Sequence, residues 1–139
     1  MGIERTLAII KPDAMDAGHV GDIIRMLEAN QFKIIAARLV CLSKQEAEGF
    51  YAVHRGKSFF ESLTTFMSSG RALVMVLEGE KAIARLRELM GATNPAHAAP
   101  GTIRQLYATS IERNAIHGSD APETAVFEIS YFFPGVDFA

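Results

Sequence analysis

The sequence predicts a domain of the α/β or α+β class, and three observations lead to this prediction. The chain has 139 residues, the usual size of one compact domain. Strand-like and helix-like patterns alternate along it, and no low-complexity linker or internal repeat separates them. We therefore expect a single domain over residues 1–139, in which a sheet and its helices share one core.

The first half of the chain predicts two strands and the helices that follow them. Arg5–Ile10 is a short apolar and β-branched run, and Pro12 ends it because proline lacks a backbone donor. Apolar residues recur at three- and four-residue spacing over 20–30, as on one face of a helix. Residues 32–42 predict a second strand, and the capping box Ser43–Glu46 predicts the start of another helix.

The second half predicts an interior strand with helices on either side of it in sequence. Residues 59–67 have amphipathic spacing and end before a Ser-Ser-Gly sequence. Arg71–Glu78 is apolar almost throughout, which is typical of a central strand buried on both faces. A helix is predicted over 80–90, with Gly91 as its cap. Residues 92–101 are rich in helix breakers and predict a long, ordered, functional loop.

The last predicted helix continues through Phe132 and ends at Pro134-Gly135. Ser119 and Asp120 stand just before it, and both residue types are good N-caps. We expect one of them to cap this helix.

The overall charge and the cysteine usage exclude several classes of function. Lys and Arg number 14 against 16 Asp and Glu, so the chain lacks the positive field that stable nucleic-acid binding needs. Its only cysteine, Cys41, cannot form an intrachain disulfide. The apolar runs are too short to span a membrane, and the N-terminus lacks a signal pattern. We expect a cytoplasmic protein without nucleic-acid or membrane partners.

His117 is the candidate nucleophile among the four histidines. Gly118 follows it and would leave one side of the imidazole open to a ligand. A nucleophilic histidine needs a partner on its second ring nitrogen to fix the tautomer, and Glu128 is a candidate for this role. From spacing alone, a solvated glutamate on a helix face is the favoured interpretation of Glu128.

Candidate phosphate-binding cations stand at or near the ends of predicted elements. Phosphoryl transfer needs such groups because its catalysis is mainly positioning and charge stabilisation. The candidates are Lys11, Arg55, Arg87 and Arg104. Each could equally be a surface charge. No Walker-type glycine-rich loop is present, so a P-loop kinase is not the first interpretation.

Several motifs along the chain match one known family in the same order. They are Arg5–Asp13, Phe66–Gly70, Gly91–Pro95, Pro100–Arg104 and Asn114–Asp120, the last reading Asn-Ala-Ile-His-Gly-Ser-Asp. On these motifs the chain resembles nucleoside diphosphate kinases over nearly its whole length. The resemblance implies an α+β fold, a ferredoxin-like βαββαβ sandwich with a four-stranded antiparallel sheet covered by helices.

The resemblance also implies a reaction and a role for each matched residue. The γ-phosphate of a nucleoside triphosphate, typically ATP, would pass to a nucleoside or deoxynucleoside diphosphate by a ping-pong mechanism through a phosphohistidine at His117. Nδ1 would attack, while Glu128 holds the other nitrogen and Ser119 completes this support. The other implied contacts are Lys11 for the transferring phosphate and a sugar hydroxyl, Arg87, Thr93 and Arg104 for the remaining phosphates, Asn114 for the sugar 3′-hydroxyl, and Phe59 for stacking on the base. Tyr51 and His54 match positions that line the same pocket.

A metal and an assembly follow from the same resemblance. Mg²⁺ is expected to arrive on the nucleotide phosphates, so no metal ligand is assigned to the protein. A homo-oligomer is expected, and the short tail after Phe132 leaves tetramer and hexamer both open.

Three alternative interpretations lack support in the sequence. A nonenzymatic relative would be indicated by loss of Lys11, Asn114 or His117, and all three are present. A metal site built from the four histidines lacks paired ligand spacing. A serine hydrolase using Ser119 lacks the Gly-x-Ser-x-Gly elbow.

Overall fold

A four-stranded antiparallel sheet lies at the centre of the computed structural model, which describes residues 2–135. The strands are β1 (Ile3–Ile10), β2 (Lys33–Cys41), β3 (Arg71–Glu80) and β4 (Ile116–Gly118). Their spatial order is β2-β3-β1-β4, and all three neighbouring pairs are antiparallel. This arrangement confirms the predicted α+β, ferredoxin-like fold.

Helices connect the strands and cover both faces of the sheet. Within the described residues they are α1 (Pro12–Asp16), α2 (Val20–Ala29), α3 (Lys44–Phe50), α4 (Phe60–Met67), α5 (Ala82–Met90), α6 (Ile103–Tyr107) and α7 (Pro122–Phe132). Short 3₁₀ turns lie at Ala52–His54 and Pro95–His97.

Two hydrophobic clusters form the core, one on each face of the sheet. Successive side chains of a strand point to opposite faces. Ala8 and Ile10 of β1 therefore pack with α2 and α5, whereas Leu7 and Ile9 pack with α3, α4 and α7. The interior strand β3 contributes buried side chains to both clusters, which confirms the prediction for residues 71–78.

The short elements are where the sequence-based predictions were wrong. Strand β4 has three residues and was not predicted from its pattern. Pro12 was expected only to end the first strand, but it also occupies the first turn of α1, where a missing donor costs nothing. Helix α6 was not predicted either. Strand β3 runs to Glu80, so α5 begins two residues later than expected.

Of the three predicted helix caps, those at Ser43 and Gly91 are confirmed and the one before α7 is wrong. Ser43 accepts a hydrogen bond from the Glu46 N–H, and the Glu46 carboxylate accepts one from the Ser43 N–H. At α7 the N-cap is Ala121 instead of Ser119 or Asp120. Thr124 Oγ1 accepts hydrogen bonds from the Asp120 and Ala121 N–H groups, so the first turn supplies its own acceptor.

The described residues also bear on the membrane and tail expectations. Across residues 2–135, none of the helices combines the length and the apolar character needed to cross a bilayer. Positions 136–139 of the tail, which entered the expectation about assembly, lie outside the described residues.

Candidate active site

Strand β4 presents His117 on the face of the sheet that packs against α3 and α7. His117 pairs with Ile9 of β1. Just before the strand, Ala115 has a φ of 74°, a conformation that is strained for alanine. Its N–H donates to Asp13 Oδ2 at 3.0 Å and its carbonyl accepts from the Lys11 N–H at 2.9 Å. These hydrogen bonds hold the backbone in place just before β4, a strand of only three residues.

A carboxylate and a hydroxyl support His117 from behind. His117 Nε2 lies 2.8 Å from Glu128 Oε1, and the two side chains are only 18% and 13% exposed. Ser119 Oγ donates to the same Oε1 at 2.8 Å and accepts from the Leu7 N–H at 3.3 Å. When Nε2 carries the proton toward Glu128, Nδ1 carries the lone pair. The solvated-glutamate interpretation of Glu128 was therefore wrong.

Aromatic rings enclose the imidazole on the side of α3. The rings of Phe50 and Tyr51 meet His117 edge-on, with centroids 5.4 Å and 6.0 Å away. The Tyr51 hydroxyl is buried and has no hydrogen-bond partner among the described residues. Burial raises the pKa of Tyr51, and the Glu128 charge raises it further. Tyr51 therefore remains a neutral hydroxyl at the site.

A cleft with a cavity volume of about 390 Å³ opens over His117. Its lining contains most of the residues that the sequence had singled out, namely Lys11, Tyr51, His54, Phe59, Arg87, Thr93, Arg104, Asn114 and His117. Glu128 and Ser119 lie behind the histidine. Arg55, the remaining candidate cation, is exposed outside this lining, with its guanidinium 5.5 Å from the Phe60 ring.

Lys11 is buried at the inner end of the cleft. Its Nζ donates to Asn114 Oδ1 at 2.8 Å, and Asn114 Nδ2 donates to the Thr93 carbonyl at 3.4 Å. Burial, with a smaller contribution from Arg104, lowers the pKa of Lys11 to about 8. At neutral pH Lys11 is an ammonium group held in a site that disfavours its charge, so an incoming anion would be stabilised there.

Two arginines complete the positive lining. The buried Arg104 guanidinium donates to three carbonyl oxygens, those of Asn114 at 3.3 Å, Gly91 at 3.1 Å and Ile116 at 2.8 Å. Burial and the neighbouring Arg87 lower the pKa of Arg104 to about 10, which leaves it charged at neutral pH.

Arg87 is the more exposed of the two arginines and is bound less firmly. Its Nη1 donates to the Gly118 carbonyl at 3.2 Å and pairs with Asp120 Oδ1 at 2.8 Å. The two charged side chains are 40% and 70% exposed, so water competes with this ion pair. Arg87 can therefore turn toward another anion at little cost.

The outer part of the cleft contains residues that the sequence reasoning missed. Ile111 is 59% exposed and lines the cleft together with Phe59, which is 46% exposed. Leu63, Glu112 and Asp120 also line it. The sequence offered one signal for Ile111, which is an isolated apolar residue within the polar run Thr-Ser-Ile-Glu-Arg.

Gly118 is required for a reason other than the predicted one. The sequence suggested that it keeps the imidazole face open, but Gly118 points to the opposite face of the sheet from His117, toward α5. A Cβ at this position would lie 2.7 Å from Met90 Sδ and 3.0 Å from Leu86 Cδ2. The glycine therefore permits close packing of β4 on α5.

The four histidines do not meet at one place. His54 and His117 share the cleft, His19 packs against Tyr107 with ring centroids 4.6 Å apart, and His97 lies in the second 3₁₀ turn. In the part of the chain from 2 to 135, no three His, Cys, Asp or Glu side chains come together as a metal-binding group.

Comparison with known proteins gives one consistent result. Residues 4–138 match the sequence model of the family described as nucleoside diphosphate kinase. The chain is 62% identical over 131 residues to a nucleoside diphosphate kinase of Desulfosudis oleivorans, covering 94% of each chain. It is 57% identical over 135 residues to one of Nitratidesulfovibrio vulgaris, covering 97% of each.

Solved structures of similar proteins have the same fold. A crystal structure of the Aquifex aeolicus nucleoside diphosphate kinase superposes with a TM-score of 0.96 at 44% identity, covering 99% of both chains. That of the Halobacterium salinarum nucleoside diphosphate kinase in complex with CDP gives a TM-score of 0.93 at 38% identity, covering 98% of this chain and 91% of the other.

Proposed function

Because the chain belongs to the nucleoside diphosphate kinase family, we propose that His117 carries the phosphoryl group from one nucleotide to the other. Phosphoryl transfer from a nucleoside triphosphate to a nucleoside diphosphate is the activity of this family and of this chain. The observation that carries the assignment of His117 is its 2.8 Å contact with Glu128 beside a cationic cleft, because Nδ1 has the lone pair when Nε2 donates to this carboxylate.

The proposed reaction has two symmetrical steps. The Nδ1 lone pair attacks the γ-phosphorus, the bond from that phosphorus to the bridging oxygen breaks, and the nucleoside diphosphate leaves with the electron pair. A terminal oxygen of the second diphosphate then attacks the phosphohistidine, and the N–P bond breaks to return the lone pair to Nδ1. Glu128 stabilises the positive charge that the imidazole gains in the first step, and Ser119 keeps Glu128 in place.

The cations of the cleft are proposed to bind the phosphate chain. Lys11 would contact the transferring phosphoryl group and a sugar hydroxyl, while Arg87, Arg104 and Thr93 contact the other phosphates. Asn114 would bind the sugar 3′-hydroxyl through the side chain that now accepts from Lys11. Low dielectric around the buried cations strengthens these interactions.

The outer, apolar part of the cleft is proposed to hold the base. Phe59 offers an exposed aromatic face, and Ile111 an exposed aliphatic side chain. Stacking on such groups discriminates poorly among bases, so broad nucleotide use is expected. The H. salinarum protein is in complex with CDP, which supports a nucleotide as the ligand of this chain.

The chemistry of this family is consistent with a divalent metal cofactor, and we propose Mg²⁺ held mainly by the nucleotide phosphates. Two carboxylates line the cleft, and each already has a partner. Glu112 accepts from Ser62 at 2.6 Å, and Asp120 pairs with Arg87 at 2.8 Å. This donor set suits a cation that brings its other ligands with it, neutralising phosphate charge during transfer.

The cellular setting and the assembly are proposals as well. We propose a cytoplasmic, single-domain protein without nucleic-acid partners, assembled as a homo-tetramer or homo-hexamer. Exposed apolar side chains support self-association, among them Leu39 on the edge strand β2 and Val126 and Phe127 on α7.

Labelling with γ-³²P-ATP and Mg²⁺ tests the role of His117. The wild-type protein should take up an acid-labile, base-stable label and release it when a second nucleoside diphosphate is added. The His117→Ala variant should take up none. Label that persists in His117→Ala would exclude this residue as the carrier. A wild-type protein that binds nucleotide without any label would indicate the nonenzymatic alternative.

A further inference from the structure

A hydrogen bond joins two segments, 50 residues apart in sequence, at the outer end of the cleft. Ser62 Oγ, on α4, donates to Glu112 Oε2 at 2.6 Å. We infer that this hydrogen bond is a latch that sets the spacing of the base-binding slot, which makes Ser62 and Glu112 positioning residues for nucleotide affinity. The inference rests on the proposed function, because it assumes that the base lies between Phe59 and Ile111.

The latch residues stand beside the side chains that form the slot. Phe59 is the N-cap of α4, so Ser62 follows it by one helical turn, and Leu63, which lines the cleft, comes next. On the other segment, Glu112 directly follows Ile111. One hydrogen bond therefore connects the backbone segment that carries Phe59 with the segment that carries Ile111.

The segment that carries Ile111 is a turn braced by its own bonds. The Arg113 carbonyl accepts from the Thr109 N–H at 2.9 Å and from the Ser110 N–H at 3.3 Å. Ser110 Oγ accepts in return from the Arg113 N–H at 3.0 Å. A turn closed in this way shifts as a unit, so the position of Ile111 depends on the bonds that attach the turn to its surroundings.

Two of those attachments reach α4. One is the Ser62–Glu112 hydrogen bond, and the other is the Arg113 guanidinium, 4.9 Å from the centroid of the Phe66 ring. Phe66 lies one turn further along α4 and does not line the cleft. The latch is therefore the attachment nearest to the slot, and its loss would allow the Ile111 turn to move away from Phe59.

Glu112 also acts on the phosphate end of the cleft through its charge. Its carboxylate raises the pKa of Lys11, against the stronger effect of burial. Changing Glu112 therefore alters phosphate affinity as well as the latch. A test must separate the base from the phosphates.

Calorimetry with two ligands on the unphosphorylated enzyme makes this separation. The ligands are ADP and ribose 5-diphosphate, which lacks the base, and the readout is the ratio of their Kd values. In Ser62→Ala we expect the Kd for ADP to rise about threefold to tenfold, the size of one exposed hydrogen bond. The Kd for ribose 5-diphosphate should stay within about twofold of the wild-type value. Ser62→Thr keeps the hydroxyl, so its ratio of the two Kd values should equal that of the wild type. Ser58→Ala, at an exposed serine of the same segment, is the matched control and should also leave the ratio unchanged.

A double-mutant cycle decides whether the two residues act together. Glu112→Ala should raise the Kd for ADP relative to that for ribose 5-diphosphate, as Ser62→Ala does, and the double variant should raise this ratio no further. Glu112→Gln keeps an acceptor for Ser62 and should keep the ratio while changing both Kd values alike. Additive effects of the two alanine variants, or an unchanged ratio in Ser62→Ala, would overturn the latch. If the wild-type protein fails to bind ADP, the proposed function fails with it, so the two failures are distinguishable.

Discussion

At the scale of single residues, the contact between Glu128 and His117 determines which ring nitrogen is free to react. In Glu128→Gln the amide oxygen can still accept from Nε2, but the negative charge that stabilises the imidazolium is gone. We expect the rate of His117 labelling by ATP to fall about tenfold to a hundredfold, with a small change in nucleotide affinity. Rapid-quench labelling measures the rate, and calorimetry with ADP measures the affinity.

The matched control for this variant is Glu123→Gln, an exposed glutamate on the same helix. It should label at the wild-type rate. Equal labelling rates in Glu128→Gln and Glu123→Gln would show that Glu128 contributes only packing.

If Arg87 binds the nucleotide phosphates as proposed, Asp120 competes with them for its guanidinium. The ion pair holds the Arg87 guanidinium on the rim of the cleft, and the pair is exposed enough for a phosphate to displace Asp120. In Asp120→Asn we expect ADP to bind about twofold to fivefold more tightly, because Arg87 no longer has to leave a carboxylate. The gain should shrink as salt is added, since exposed charges are screened.

Combining this variant with Arg87→Ala tests the route of the effect. Asp120→Asn should change the affinity for ADP little when Arg87 is absent. A full effect in that background would mean that Asp120 acts on the phosphates directly. Glu88→Gln, which neutralises an exposed charge on α5, serves as the control.

At the scale of elements, the packing of β4 on α5 is what places His117. Gly118→Ala would bring a Cβ within 2.7 Å of Met90 Sδ, and both Met90 and Leu86 are fully buried. The strand or the helix must then shift, so we expect a loss of about 1–3 kcal/mol in the free energy of unfolding. The labelling rate should fall as well, because the strand carries His117, the proposed nucleophile.

Urea unfolding measures the stability change. Gly21→Ala is the control, because a Cβ at this helical position in α2 meets nothing within 4 Å. That substitution should be neutral or should stabilise by about 0.5–1 kcal/mol. A Gly118→Ala protein as stable as Gly21→Ala would contradict the packing explanation.

The sequence predicted the long elements better than the short ones. Strand β3 and helix α4 have enough residues to show their periodicity. Strand β4 has three residues and α1 and α6 have five each, so neither strand nor helix periodicity can be detected in them. β4 exists because its hydrogen bonds are made by β1, and such long-range pairing leaves no local pattern.

Some residues of the candidate site could be predicted from the sequence and others could not. The motif around His117 and the matched cations were identified from the sequence, and the fold brings them into one cleft. The Glu128 contact could not be predicted from spacing, because it depends on how α7 is rotated against β4. Ile111 was missed because its segment has no regular structure.

At the scale of the whole molecule, the cleft is assembled from segments spread over most of the chain. Lys11 follows β1, Tyr51 follows α3, Arg87 lies on α5, Arg104 on α6, and Asn114 comes just before β4. No single helix or strand among these contributes more than one of these five side chains. The folded sheet and its two helical layers therefore concentrate the cations, and folding must offset the cost of burying them.

Lys11 links the charge of the site to the stability of the molecule. Its pKa in the folded protein is about 8, below the ordinary 10.5, so between these values the unfolded chain holds a proton that the folded chain has lost. The Lys11 contribution to stability should therefore rise with pH through this window. At about 1.4 kcal/mol for each unit of pKa, the gain is on the order of 3 kcal/mol. Tyr51 acts in the opposite sense above pH 10, because its pKa is raised.

Activity should depend on pH in the opposite direction to this stability term. The free enzyme loses the Lys11 ammonium as the pH rises through about 8, so kcat/KM should fall there. Bound phosphates keep Lys11 protonated, so the fall in kcat should come at higher pH.

Urea unfolding of the wild type and Lys11→Met between pH 7 and 10.5 measures the stability term, because Lys11→Met removes the titrating group and keeps the bulk. A difference in unfolding free energy that stays constant over this range would show that Lys11 does not titrate there, and a flat kcat/KM profile would remove its charge from the mechanism.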